Sequence, residues 1–350
     1  MTKQNNLVNR FKKEIQLDEQ IDDKEFLKNL KRFISENEHY SRPPRPAKDL
    51  FSIMDEVATR LDAEIPSNRA IPTGFKQYDD TYGGLIPTEM LLIGGRPSMG
   101  KTQLLVQMAI NASVHAPVLY CSLDISADLL AQRFIANKAD IAIEYLQLNR
   151  LNGDEKYRIQ KAIKSMQDRS LLISDENRSS IDSLIKHWET YVVEREIKVM
   201  FVDYIQLLGE AKYNRNRHQE LGYISQRLKK FAQEHDLALV VASQLSRSVE
   251  MRGGSKTPIL SDLKESGALE EDADKVAFIY RPEYYGLLED EHGPTEHIIR
   301  LIFAKNRIGK SKTIFLKKTR DFNRIYSVDE VIHTFIRGTR FNEFEDENPF

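Results

Sequence analysis

The chain has 350 residues, 41% hydrophobic and 30% charged, at 40.5 kDa, which bounds it to one large domain or a core with an appendage and excludes global disorder. Lys plus Arg number 51 and Asp plus Glu 53, so global charge does not advertise nucleic-acid binding and any basic surface must be local. A single cysteine, Cys121, excludes an intramolecular disulfide and a Cys-rich zinc site; the apolar runs are too short to span a bilayer and the polar N-terminus lacks a signal-peptide core, so the expectation is a soluble, cytoplasmic protein with no membrane partner.

In chain order, Phe26, Leu27, Leu30, Phe33 and Ile34 recur at helical spacing and predict an amphipathic helix over 24–36. Pro43, Pro44 and Pro46 then break helix and read as a stiff linker. A second amphipathic helix is predicted over 48–63, with Leu50, Ile53, Met54, Val57 and Leu61 on one stripe. From about residue 70 short apolar strands alternate with helical segments. Strands are expected near 90–95, 117–123, 171–174, 197–203, 237–243, 275–280 and 298–304, with helices near 101–114, 126–138, 154–167, 180–195 and 218–235. That alternation predicts an α/β domain with a mainly parallel central sheet. Strands near 298–304 and 313–318 are close enough to form a hairpin. The tail after Thr339 is acidic and is expected to be loose.

Gly95, Arg96, Pro97, Ser98, Met99, Gly100, Lys101 and Thr102 fit the phosphate-loop pattern G-x-x-x-x-G-K-[ST]. The motif follows an apolar strand and opens a helix, the context its chemistry requires. Glycines let backbone N–H groups wrap a phosphate, and the helix N-terminus adds its positive dipole end. Lys101 would reach the β- and γ-phosphates of ATP, and Thr102 would give Mg²⁺ a hydroxyl ligand. A second buried strand should end in a metal-positioning acid, and the run 199–202 delivers Asp203 at its C-terminal end.

Further strings recur in order. They are Ile71-Pro-Thr-Gly-Phe75 with Gly83-Gly84-Leu85, Cys121-Ser-Leu-Asp124, Asp203-Tyr-Ile-Gln206, Ser243-Gln244-Leu-Ser-Arg247, Ser261 through Asp274 before Phe278-Ile-Tyr-Arg281, and Lys305-Asn-Arg307. Over roughly residues 48–335 this order resembles the RecA-like motor domain of the DnaB family of replicative helicases. The short helical segment and Pro-rich linker over 1–47 depart from the family's much longer N-terminal domain, and 339–350 reads as an acidic flexible tail. The resemblance implies a linker helix over 48–69 and a RecA-like ATPase core over 70–338. It implies Gln244 as γ-phosphate sensor, and Arg307 with Lys305 as an arginine finger acting on a neighbouring subunit. It implies ATP hydrolysis between subunits of a homo-oligomer, a hexamer, that translocates on single-stranded DNA. A helicase loader or another replisome protein would be a further partner. The family carries a glutamate where this chain has Asp124, the residue taken to orient water; aspartate keeps the charge but is one methylene shorter. A helix cap beside Ser126 is the bland alternative for Asp124.

Two basic segments are candidates for DNA contact: Arg215 and Arg217 after Asp203, and Arg247 through Arg252 to Lys264, Glu265 and Gly267. A backbone-tracking groove needs cations and exposed N–H groups rather than base-reading side chains. The linker helix would dock on the next subunit, and the short segment before it puts ordinary primase binding in doubt. The acidic end, Glu343 to Phe350, is similar to the partner-recruiting tail of single-strand binding proteins, though a solubilising tail looks the same. Two rival readings stay open: a RecA- or RadA-like recombination ATPase, and a non-motor ATP-binding scaffold or inhibitor of a host helicase.

Overall fold

The computed structural model describes residues 49–62, 69–176, 180–213, 216–263 and 267–329, with residue 47 and the pairs 335–336 and 339–340. The predicted helix over 24–36, the acidic end, Arg215, Lys264 and Glu265 lie outside the described residues. The chain divides into two units, 1–67 and 68–350.

In the first unit, α1 (Leu50–Asp62) opens on Asp49, whose carboxylate accepts the Ser52 N–H at 3.1 Å. Its apolar stripe is exposed, with Phe51 77% and Met54 58% accessible.

The second unit begins with α2 (Lys76–Tyr82) and β1 (Met90–Gly95). Then come α3 (Lys101–Ala112), β2 (Val118–Ser122), α4 (Ala127–Ala139), α5 (Ile143–Gln147), α6 (Gly153–Met166) and β3 (Leu171–Ser174). They are followed by α7 (Ile181–Glu194), β4 (Val199–Asp203), α8 (Arg217–His235), β5 (Ala238–Gln244) and two short helices, α9 (Ser248–Met251) and α10 (Gly267–Asp272). After β6 (Lys275–Tyr280) and the small ladder of β7 (Glu289–Asp290) and β8 (Gly293–Pro294), the chain forms β9 (Ile298–Asn306), β10 (Thr313–Lys318) and β11 (Ile325–Ser327). The pair β12 (Phe335–Ile336) and β13 (Thr339–Arg340) stands apart.

One nine-stranded sheet runs β11-β10-β9-β6-β1-β5-β4-β2-β3. From β3 to β6 all pairings are parallel, and β9 then reverses direction against β6. The burial follows this division. Strands β1, β2, β4 and β6 are buried at every residue, as strands covered by helices on both faces must be. Strands β9 and β10 instead alternate buried and half-buried residues, the period of a sheet with one covered face. Along β1 the side chains of Leu91 and Ile93 pack with Leu104 and Leu130 on one face. Met90 and Leu92 pack with Trp188 and Leu228 on the other. Helices therefore sandwich the sheet and bring the C-terminal ends of β1, β2, β4 and β5 to a common edge. The predicted hairpin is β9–β10, in register from Thr313 opposite Ile302. Among the described residues no helix is long and apolar enough to cross a membrane.

Candidate functional site

The common edge of the parallel strands carries the phosphate loop. Ser98 has φ 63° and Gly100 φ 98°, and such positive angles make the concave run of backbone N–H groups that receives anions. A side chain at Gly100 would have its Cβ 2.2 Å from the Phe322 ring, and one at Gly95 would meet Ile279 at 2.5 Å. The loop closes this tightly because both positions are glycine. No side chain caps α3 at Gly100, leaving its first-turn N–H groups available to an anion. Lys101 Nζ donates to the carbonyls of Gly95 (2.8 Å) and Arg96 (3.1 Å). Burial pulls the Lys101 ammonium down to about 8, with Asp203 opposing and Arg96 reinforcing the shift.

Asp203 ends β4 beside Ser122 of β2 and is buried. Burial raises its carboxyl above the usual range, against hydrogen bonds from the Thr102 hydroxyl and the Tyr120 phenol; the phenol donates at 2.9 Å. Burial, then the Asp203 charge, pushes the Tyr120 hydroxyl well up, so it stays a donor. Thr102 and Asp203 thus offer a hydroxyl and a carboxylate oxygen side by side, a hard donor pair suited to Mg²⁺. Among the described residues no three His, Cys, Asp or Glu side chains gather as a metal cluster, so an ion at this pair would complete its shell with phosphate oxygens and water.

Asp124 lies just past β2, exposed. The Ser126 side chain, not Asp124, caps α4 by accepting the Leu129 N–H at 3.3 Å. The Asp124 charge bears on Lys101, Asp203 and Tyr204. Gln244 ends β5 directly beside Gly95. Its backbone is held by Gln206, whose Nε2 donates to Gln244 O at 3.1 Å and to Ser243 Oγ at 2.9 Å, and whose Oε1 accepts Gln244 N–H at 3.0 Å.

Lys305 and Arg307 stand elsewhere. Because β9 runs against β6, its end lies opposite Lys275, at the sheet edge far from the phosphate loop. About four strand residues, on the order of 13 Å, separate the two levels. Lys305 Nζ donates to the carbonyls of Glu270 and Glu271. Arg307 donates to Glu271 O at 2.7 Å and pairs with Asp274 at 3.2 Å. Both cations therefore cap the C-terminal end of α10, where cations suit the helix dipole. The α10 helix begins at Gly267, which is exposed.

The basic segments are only partly turned outward. The Arg217 guanidinium binds Glu220 and the carbonyls of Gln206 and Leu208, so it braces the loop after Asp203. Arg252 pairs with buried Asp262 and donates to Thr257 O. Arg247 is exposed. Two residues without a role in the sequence reading sit against the phosphate loop. Arg281 donates to Ser98 O at 3.2 Å and stacks 4.5 Å from the centre of the Phe322 ring. Arg96 likewise turns its side chain away from the cradle, to Leu245 O and Glu250.

Fold and site together define a P-loop nucleoside-triphosphatase domain of the RecA-like kind. Residues 70–327 match the DnaB-like helicase C terminal domain family, and the chain belongs to that family. It is 31% identical over 277 residues to the replicative DNA helicase DnaB of Geobacillus stearothermophilus, covering 78% of this chain and 59% of that protein. Among solved structures it is similar to an isolated ATPase domain, with a TM-score of 0.73 and 29% identity over 81% of this chain and all of that one. It is also similar to a DnaB-like replicative helicase whose interactions with primase were described, with a TM-score of 0.75 and 28% identity over 93% of this chain and 75% of that one. The chain spans less than two thirds of the length of the replicative helicases it matches.

Proposed function

We propose that this chain is the motor of an ATP-dependent replicative DNA helicase, a cytoplasmic protein that translocates on single-stranded DNA and unwinds duplex. The reading rests above all on one observation. The phosphate loop with Thr102 and Asp203 sits at one edge of the sheet, while Lys305 and Arg307 sit at the other. Taken as a finger, Arg307 so far from its own nucleotide serves another protomer's, which calls for a head-to-tail homo-oligomer, in this reading a hexamer.

In this reading backbone N–H groups and Lys101 hold the β- and γ-phosphates, and Thr102 and Asp203 hold Mg²⁺. The ion, when bound, neutralises charge on the phosphate oxygens. Asp124 orients and deprotonates the attacking water, and Gln244 senses the γ-phosphate. The stacked pair Arg281 and Phe322 offers a flat face to the nucleobase. Arg307 and Lys305 of the next protomer stabilise the charge that develops on transfer.

The exposed stripe of α1 docks on a neighbour. An apolar groove of about 360 Å³ between α4 and α6, lined by Ala131, Phe134, Ile135, Ile163 and Met166, offers apolar side chains to such a stripe. DNA runs past the loops after Asp203 and Gln244, with Arg247 and Gly267 on the path and Arg215, Lys264 and Glu265 joining them. A helicase loader or another replisome protein delivers the ring to DNA.

The experiment is ATP hydrolysis with and without single-stranded DNA, with Lys101→Ala as the contamination control. DNA-stimulated turnover lost in that variant is the expected result. Nucleotide binding with no turnover above the control, DNA present, would instead favour the non-motor scaffold.

A further inference from the structure

Arg96 belongs to the phosphate loop, yet its guanidinium serves a different segment. The side chain is 6% exposed and bonds Glu250 at 2.9 Å through Nε. Nη1 donates to Leu245 O at 2.8 Å. In return, Leu245 N–H donates to Gly95 O at 3.2 Å. A charge this buried needs such partners, and the planar fork of arginine meets the carbonyl and the carboxylate together.

Glu250 lies in α9, inside the segment that leads from Gln244 to the candidate DNA loop. That segment is itself braced. Arg252 pairs with Asp262, which is 2% exposed, and Asp262 also accepts the Ile259 N–H at 2.8 Å. Ser246 N–H donates to Asp262 O at 3.0 Å. Lys256 Nζ donates to the carbonyls of both Glu250 and Arg252. Ion pairs thus run from Arg96 to Glu250, and from Arg252 to Asp262, two residues short of Lys264.

The nucleotide end of this chain has a reason to move. Lys101 Nζ donates to Arg96 O, and a phosphate would draw that ammonium away. The peptide that carries Arg96 then exchanges that bond for a loop closed around the phosphate by its N–H groups, and its side chain, still gripping Glu250, is held more firmly than in the empty loop.

We propose that Arg96 and Glu250 form a strut by which the phosphate loop positions the segment from 245 to 263, so that Arg96 is a positioning residue coupling nucleotide to the DNA loop. This rests on the helicase reading for its DNA side only. The strut predicts that nucleotide orders the segment even without DNA.

The test pairs two measurements on the full chain. Hydrogen exchange over 246–263 is followed with and without Mg²⁺ and a slowly hydrolysed ATP analogue, and ATP turnover is followed with and without oligothymidylate. In the wild type, nucleotide should slow exchange over 246–263. Glu250→Gln should lose that slowing while exchange in α3 still responds to nucleotide, a split that general loosening would not give. Its basal turnover should stay within about twofold, and its DNA stimulation should fall about tenfold, the scale of ordinary site-to-site coupling. Glu250→Asp should recover part of the effect, and adding Glu250→Gln to Arg96→Gln should cost no further stimulation. A wild-type-like exchange response in Glu250→Gln, or no response in the wild type, overturns the strut. Wild-type turnover without DNA stimulation sinks the helicase reading instead, and the exchange comparison then decides the strut alone.

Discussion

Lys101 and Arg307 stand at opposite edges of one sheet: Lys101 follows Gly95 at the C-terminal end of β1, and Arg307 N–H bonds Asp274 O, whose own N–H bonds Met90 O at the start of that strand. In the proposed function, where Arg307 acts on a neighbour's nucleotide, each residue is half of a different composite site. Arg307→Ala alone should lose about three orders of magnitude in turnover. Mixing it with Lys101→Ala should restore part of the activity, because some interfaces then pair an intact phosphate loop with an intact finger. Mixed assemblies that stay inactive would refute trans action.

Lys101 sets a pH limit. Its folded value of about 8 lies well below an ordinary lysine, and phosphate needs the charged form. Binding above pH 8 must take up a proton, so the nucleotide Kd should rise by up to about tenfold per pH unit beyond that point. Stability runs the other way. Between 8 and the ordinary lysine value the unfolded chain binds more protons, so the nucleotide-free protein should gain stability with pH relative to Lys101→Met. Calorimetry for binding and urea melts for stability, both from pH 7 to 10, check the two signs.

Asp124 is free of the helix cap and exposed beside Asp203, and the proposed function makes it the water-orienting acid. Asp124→Asn should cut kcat by about 10²–10⁴ with little change in nucleotide affinity. Asp124→Glu should raise kcat if reach is what limits it. A kcat unmoved by Asp124→Asn would transfer the base role to another group.

Gln206 fixes the end of β5, which carries the proposed sensor Gln244, with two hydrogen bonds to the Gln244 backbone and one to the Ser243 hydroxyl. Gln206→Ala leaves that strand end unpartnered, and about 1–3 kcal/mol of stability should go. DNA-stimulated turnover should fall more than basal turnover, because Gln244 then loses its fixed position. Equal losses in both would make Gln206 a purely structural support.

The buried strands were plain in the sequence because helices cover both faces of the parallel sheet, and continuous apolar runs such as 199–202 follow from that. The α2 helix was not, since Tyr78 and Tyr82 are its only buried residues and seven residues carry little periodicity. The phosphate loop was legible because its chemistry is local. The partnership of Arg281 with Phe322 was not, because the β9–β10 hairpin separates them in the chain. Basic loops suggested DNA for Arg217 and Arg252 alike. Their carboxylate partners, Glu220 and Asp262, are visible in the sequence, but only the folded path of each loop decides whether an arginine meets its acid or the solvent.

The reversal of chain direction between β6 and β9 has a consequence for how activity scales with amount. In the proposed function a monomer owns a nucleotide pocket and a finger that cannot meet. Turnover per chain should therefore fall on dilution, and fall as a power of protein concentration rather than in proportion to it, until DNA or a loader holds the protomers together. Idle chains would then spend little ATP, a safeguard set by strand order alone.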